Sequence, residues 1–447
     1  MASETEEEEI QLWQTVAPVE FAPKLESKSD AQALLITARQ GMGFFVAGGQ
    51  LAHALLSRAT HVLLDYSSAA CAIRYQVDGN WEQLPPLDRE TGDAMLYAIK
   101  QLCLMNPADR RGAQRGKIEL KLGRDKYQMS VQSQGIASGE RVMIKLEPEK
   151  LPFEKLSDLG MRDKMIEQFK EQLNGEGNIT LISATKGEGL TTLWTVALNV
   201  ADRLIRDFQS FEPAENPEPE IINVGPNLFG GETGKSELEV VNKMVLREPD
   251  VLVFPNPPQP ESLKVCLDQV ETAQRQVIHR GVADNALTAL LTFLNRYPEL
   301  RQQIVKFTGA VVHQRLVRRL CDQCKVGFEP PPKLLAQLGI PQGRIAMLYQ
   351  PFVPPPIEQQ VDEKGQPAPI PPCPACNGRG YLGRIGIFEL LQPGPELKKA
   401  LTQTDDAGQL MAVAKSEGHR GTQAEAILTV ARGLTSLEEV RRVFSKR

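Results

Sequence analysis

Apolar and polar positions along the chain fall into segments of different period, and the segments group into successive regions. A helical spacing over residues 31–43 leads into the first region. From Thr60 onward the pattern shortens and becomes strand-like. Residues 61–66 and 71–77 read as strands, and Asp78-Gly79 is a hairpin turn ahead of a further strand at Trp81. A helix is predicted over 90–105, then strands over 117–122, 126–132 and 141–146. That mixture makes an α+β domain. Cys71 and Cys103 fall in apolar contexts and are expected in its core.

The second region alternates strand and helix. Residues 161–173 read as a helix closed by Asn174-Gly175. The apolar run 179–182 reads as a buried strand, and the amphipathic run 191–204 as a helix. A Pro-, Asn-, Glu- and Gly-rich stretch, 211–234, reads as loop around a strand at 221–224. A helix follows over 236–246, then a buried parallel strand over 249–254. Beyond it are a helix from Glu261, a short strand over 276–279, and helices over 286–294 and 298–306. Residues 395–447 read as a small helical region.

Between the strand at 179–182 and the helix after it lies Ser183-Ala184-Thr185-Lys186-Gly187-Glu188-Gly189-Leu190-Thr191-Thr192. Strand, glycine turn and helix is the layout of a phosphate-binding loop, which holds phosphate with backbone N–H groups and the positive helix start. A working loop adds a Lys for the β- and γ-phosphates and a Ser or Thr for Mg²⁺. Depending on register, Gly189 or Leu190 stands where that Lys belongs, and Lys186 lies upstream of it. Thr185, Lys186, Gly187, Gly189, Thr191 and Thr192 are the candidate nucleotide contacts, with an ordinary strand-to-helix turn as the alternative. A second string, Gly230-Gly231-Glu232-Thr233-Gly234-Lys235-Ser236, lacks the full spacing. No clear strand feeds it, so a surface turn is expected.

Composition narrows the function. At 447 residues the chain has room for two or three domains. A net charge of -5 argues against a dedicated nucleic-acid binder. No apolar run approaches the roughly 20 residues that span a bilayer, and no signal peptide opens the sequence. A cytoplasmic location is the expectation. Residues 1–28 open acidic, with Glu4 and Glu6 to Glu9, and read as a solvated tail. Of seven cysteines, four form two C-x-x-C pairs, Cys321/Cys324 and Cys373/Cys376. Two such knuckles across a Pro-rich spacer fit a tetrahedral, closed structural zinc site, ahead of four free thiols, a catalytic metal or a redox pair.

The motifs resemble the assembly ATPases of type II secretion and type IV pili. The match runs through Val312-His313-Gln314-Arg315-Leu316-Val317-Arg318-Arg319-Leu320-Cys321 and Cys324. It continues from Cys373 and Cys376 through Asn377-Gly378-Arg379-Gly380-Tyr381-Leu382-Gly383-Arg384-Ile385-Gly386-Ile387-Phe388-Glu389-Leu390-Leu391. The tail Gly433-Leu434-Thr435-Ser436-Leu437-Glu438-Glu439-Val440 also matches. The first domain is similar to the family's mobile N-terminal domain through Ile73-Arg74-Tyr75-Gln76-Val77-Asp78-Gly79 and 139–146.

The resemblance implies an α/β architecture: an acidic tail at 1–28, an N-terminal α+β domain at 29–150 and a RecA-like P-loop domain at 151–310. A Cys₄ zinc region at 311–394 and a helical region at 395–447 complete it. It also implies a homo- or hetero-hexamer at the cytoplasmic face of the inner membrane, reaching the membrane only through platform proteins and moving pilin or pseudopilin. The departures fall on the chemistry. The Walker A lysine is absent, and the Walker B glutamate maps to Asn256 within Pro255-Asn256-Pro257-Pro258-Gln259. The acidic segment after the P-loop helix reduces to Phe211-Glu212-Pro213, and His279 stands near, but not on, the His motif. No catalytic residue is therefore assigned. The expected function is a ring subunit with impaired or no ATP turnover, structural Zn²⁺ and weak ATP/Mg²⁺ binding. The alternatives are an active motor with Lys186 substituting and a zinc-binding adaptor.

Overall fold

In a computed structural model, which describes residues 11–360, 366 and 368–445, the chain divides into two compact units, Met1–Leu151 and Pro152–Arg447. The first contains β1 (Glu20–Ala22), α1 (Lys28–Arg39), α2 (Met42–Leu56), β2 (Ala59–Tyr66), β3 (Ala70–Val77) and β4 (Asn80–Asp88). α3 (Arg89–Leu102), β5 (Gln114–Leu122), β6 (Asp125–Ile136) and β7 (Gly139–Pro148) complete it. Its seven strands pair antiparallel in the order β1-β5-β6-β7-β2-β3-β4. Strict alternation in β3 turns Cys71, Ile73, Tyr75 and Val77 inward, which puts one face of the sheet under the helices. Cys71 and Cys103 are both buried, as the sequence suggests. A fully buried ion pair, Lys100 to Glu140 at 2.5 Å, ties α3 to β7.

The expected helix at 31–43 is two helices. Ser27 caps the first through the Asp30 N–H, and Gly41 starts the second. α2 escaped the sequence reading because it is apolar nearly all round and carries Gly43, Gly48 and Gly49. Such glycines permit close packing: a Cβ on Gly43 would meet the Ala94 carbonyl oxygen at 1.9 Å. Glu4 and Glu6 to Glu9 lie outside the described residues. The tail reading to residue 28 does not hold beyond them, since Val19 and Phe21 are buried and β1 pairs with β5.

The second unit opens with α4 (Asp163–Leu173), β8 (Ile179–Ala184), α5 (Leu190–Val200), β9 (Phe208–Pro213), β10 (Val224–Phe229) and α6 (Glu237–Val245). It continues with β11 (Val251–Phe254), α7 (Pro260–Ala273), β12 (Gln276–Val282), α8 (Ala286–Arg296), α9 (Arg301–Phe307) and β13 (Thr308–Leu320). The excursion holds β14 (Val326–Phe328), α10 (Pro332–Gln337) and β15 (Leu348–Gln350). β16 (Tyr381–Leu391) returns to the sheet, and α11 (Pro395–Leu401), α12 (Ala407–Ser416), α13 (Thr422–Ala431) and α14 (Leu437–Phe444) follow.

The sheet order is β10-β9-β11-β12-β8-β13-β16, parallel except for β16 against β13. Both faces are covered, so the central strands are largely buried and rich in apolar residues. Ile179, Leu181, Leu252 and Phe254 enter one core with α7 and α8; Ile182, Val251 and Val253 enter the other with α4 and α5.

Three expectations shift. The strand placed at 221–224 runs over Val224–Phe229; its Pro226 is tolerated because β10 is the edge strand. The helix expected to reach residue 204 stops at Val200, and Leu204 and Ile205 are exposed in the turn beyond. The border drawn at 310/311 falls inside β13, which pairs parallel with β8 and carries the central sheet up to the first cysteine knuckle.

Candidate functional site

β8 is buried along its whole length and ends at Ala184, in the middle of the parallel sheet. Ligands in open α/β sheets bind outside the carboxyl ends of such strands. Residues 185–189 form a tight turn there, with Glu188 N–H donating to Thr185 O at 3.0 Å. Gly187 and Gly189 take positive φ, 77° and 83°, which a side chain would oppose. Gly189 is the N-cap of α5, with no side-chain cap, and Leu190 is the first helical residue. The N–H groups of Lys186, Gly187 and Gly189 have no partner among the described residues. The turn therefore keeps an anion cradle of backbone N–H groups over a helix start.

The side chains around the cradle are another matter. Leu190 packs against the apolar cluster beneath α5. Lys186 and Thr191 are exposed, Thr192 is half-buried, and Lys186 makes no ion pair among the described residues. The Thr185 hydroxyl is buried without a partner. β11 lies one strand from β8, and after it Asn256 is exposed with no carboxylate in the run from Pro255 to Pro260.

Two residues absent from the sequence-based site hold the turn. The Gln314 amide on β13 donates to Glu188 O at 2.8 Å, and the Glu188 carboxylate accepts Leu316 N–H at 3.0 Å beside Arg315. More than a hundred residues separate these partners, so only the sheet topology reveals the contact. Nearby, Glu212 is buried and accepts the Ser210 hydroxyl and Glu218 N–H. Arg280 pairs with Glu218 through two bonds and lies over the Trp194 ring at 5.2 Å.

His279 is buried, bonded through Nδ1 to Phe254 O at 2.8 Å. Desolvation, with Arg280 and Arg296 adding to it, lowers its pKa to about 4. His313 is also lowered to about 4, chiefly by desolvation, and its Nδ1 lies 3.0 Å from Ser183 Oγ. Both rings are neutral near pH 7.

The string 230–236 is fed by a strand after all: β10 ends at Phe229 and α6 begins at Glu237. It still makes no phosphate cradle. Ser236 and Glu239 close a capping box, Gly230 N–H donates to Lys235 O, and a Cβ on Gly231 would touch the Glu215 carboxylate.

The four cysteines converge because β13 and β16 are antiparallel neighbours with Leu320 opposite Tyr381. Cys321 follows the one strand and Cys376 precedes the other, and Cys321 N–H donates to Gly380 O. The four Sγ atoms lie within 4.8 Å of one another; Cys321 to Cys373 is 3.9 Å and Cys324 to Cys376 is 3.6 Å. A tetrahedron with metal–sulfur bonds of about 2.3 Å has edges of about 3.8 Å, so the set could hold a metal ion. Cys373 is lowered to about 7, first by the Cys376 backbone N–H, while burial raises Cys324 and Cys376. Four thiols this close ionise together only with a cation among them.

A mostly parallel sheet covered on both faces, with a strand–glycine turn–helix at its carboxyl edge, makes the second unit a doubly wound α/β fold. The DotB ATPase of Legionella pneumophila has a similar fold, with a TM-score of 0.54 at 13% identity over 89% of this chain and 94% of that one. DotB of Yersinia pseudotuberculosis gives 0.52 at 13% identity, covering 88% and 92%. A profile described as "Type II/IV secretion system protein" matches residues 46–442, and the chain belongs to that family. Its relatives include the type IV pilus assembly ATPase PilB of Thermus thermophilus, 24% identical over 87% of this chain and 41% of that protein. Type II secretion system protein E of Pectobacterium carotovorum is 24% identical over 95% and 80%. Against three PilB proteins the chain spans 41%, 61% and 62% of their length.

Proposed function

We propose that the chain is a non-catalytic or strongly impaired subunit of a type II secretion or type IV pilus assembly ring. Leu190 carries the reading. In the G-x-x-x-x-G-K-[ST] spacing the residue after the last glycine supplies the ammonium for the phosphates. Taking Gly189 as that glycine, the position is a half-buried alkyl side chain packed against the apolar cluster. Asn256 leaves the end of β11, separated from β8 by β12, without a carboxylate to position water. Phosphoryl transfer rests on charge stabilisation and positioning, each such group contributing a few kcal/mol. The remaining N–H cradle supports weak phosphate binding, with Thr191 as a Mg²⁺ contact at most.

Cys321, Cys324, Cys373 and Cys376 would hold a structural zinc ion, which would pin the excursion between β13 and β16. The ring would be a homo- or hetero-hexamer that meets the cytoplasmic face of the inner membrane through platform proteins and supports pilin or pseudopilin assembly. In keeping with this, no helix among the described residues is long and apolar enough to cross a membrane. The test is ATP binding and phosphate release measured together on the purified chain at saturating Mg-ATP. Turnover at background is expected. Clear turnover abolished by Lys186→Ala would overturn the reading and make Lys186 the phosphate ligand.

A further inference from the structure

A cavity of about 340 Å³ opens between the start of α4, the end of β16 and helices α11, α12 and α13. None of its lining residues belongs to the glycine turn or the cysteine cluster. The carboxylates on its wall are already engaged. Glu425 takes Arg162 through two bonds, at 2.8 and 2.6 Å. Glu417 accepts the N–H groups of Gly394 and Glu396. The cations are less engaged: Lys164 and Arg420 line the cavity, are exposed, and make no ion pair among the described residues.

Two helices of ten or more residues begin at this wall. α4 starts after Arg162 and α13 after Gly421, and neither has a side-chain cap. Such starts present N–H groups and the positive end of the dipole. The third observation is His419, whose side chain is 4% exposed and lines the cavity. Its Nε2 donates to Glu389 Oε1 at 2.8 Å, and its Nδ1 is buried with no partner among the described residues.

We propose that this cavity is an anion site that takes a small soluble phosphate compound carrying a diphosphate-like charge. Lys164 and Arg420 contact the phosphate oxygens, the two helix starts complete the positive wall, and the His419 ring lines it. The site is joined to the strand that bears the glycine turn. Glu389 faces His313 across the β13–β16 register, and His313 bonds Ser183 on β8. The proposal stands independently of whether the glycine turn retains nucleotide.

Inorganic pyrophosphate is the probe, titrated calorimetrically into the full chain at low salt. Three proteins are compared: the natural chain, Lys164→Ala/Arg420→Ala, and Lys186→Glu, which reverses the charge on the glycine turn. All three changes are at exposed positions. The cavity variant should bind at least about tenfold more weakly, as loss of charge-assisted contacts requires, and Lys186→Glu should keep the binding. In chain labelled at the imidazole rings, the chain's five histidines give five signals. The one lost in His419→Gln should shift on titration. Absence of binding, equal affinity in the cavity variant, loss of binding in Lys186→Glu, or an unmoved His419 signal would each overturn the proposal.

Discussion

Replacing His279 by Asn should flatten the acid sensitivity of the second unit. His279 is buried against Phe293, with ring centroids 5.1 Å apart, and its Nδ1 bonds Phe254 O. Desolvation lowers its pKa from 6.5 to about 4. Below pH 6.5 the unfolded chain takes up a proton that the folded chain refuses, so stability falls as pH drops from 6.5 toward 4 and is level above 6.5. Between pH 7.5 and pH 5 the difference is about 1.4 pKa-equivalents, or about 2 kcal/mol at roughly 1.4 kcal/mol each. His313, also lowered to about 4, contributes a similar loss. The buried carboxylates Glu389 and Glu439 are held below their ordinary value of 4.5 and lose their contribution at lower pH, outside this window. Asn keeps an N–H near the Nδ1 position and does not titrate. Trp13 and Trp81 lie in the first unit and Trp194 in the second, so a Trp13→Phe/Trp81→Phe background makes fluorescence report the second unit alone. Urea unfolding at the two pH values should show His279→Asn losing about 2 kcal/mol less than its parent, with thiol effects common to both. Equal losses would refute the reasoning.

Metal analysis of the purified chain should give about one zinc per chain, and Cys373→Ser should remove most of it; unchanged zinc would exclude the cluster as the site. Gly189→Ala should cost about 1–2 kcal/mol in urea unfolding, because a side chain at positive φ is strained. The new Cβ would also lie 2.7 Å from Gln314 Nε2, and an unchanged midpoint would show that the turn adapts freely. Phe388→Ala should cost about 3–5 kcal/mol, since its ring is 3% exposed in the core beneath α4 and α5; a loss under about 1 kcal/mol would mean that the core collapses around it.

Period and turn chemistry made β2, β3, α3, β8 and β11 legible, because each buries one face or a short apolar run whole. They failed where burial is uniform or where pairing is remote. α2 has no polar stripe to mark it, and β10 begins only after Asn223, at φ 61°, through a proline that a sheet interior would exclude. The glycine turn could be read as a motif, but its register could not. Gly189 as N-cap and the packing of half-buried Leu190 against the apolar cluster are consequences of how α5 lies on the sheet. Gln314, Glu188 and the cavity around His419 carry no local signal, since their partners are more than a hundred residues away or come from separate helices.

Three of the resembling stretches, far apart in sequence, meet at one place. Arg318 on β13 donates to Glu439 from the tail segment and lies over Tyr381 of β16 at 4.0 Å. Tyr381 bonds Ser436, and Thr435 donates to Arg318 O. Glu439 is fully buried and engaged by Arg318 and Arg442, so removing either arginine would leave a buried charge short of partners. β13 is the common member. Its Gln314 holds the glycine turn, its Arg318 holds the tail, and its end delivers Cys321 to the cluster. From Gln314 to Cys321 is seven residues, about 23 Å of extended strand at about 3.3 Å each. β13 pairs with β8 only up to Gln314, opposite Ala184, and with β16 on to Leu320, so one continuous strand links the cysteine cluster to the glycine turn. That connection needs no phosphate lysine. It is set by the register of β13 with β8 and β16, and so does not depend on the side chains at Leu190 and Asn256.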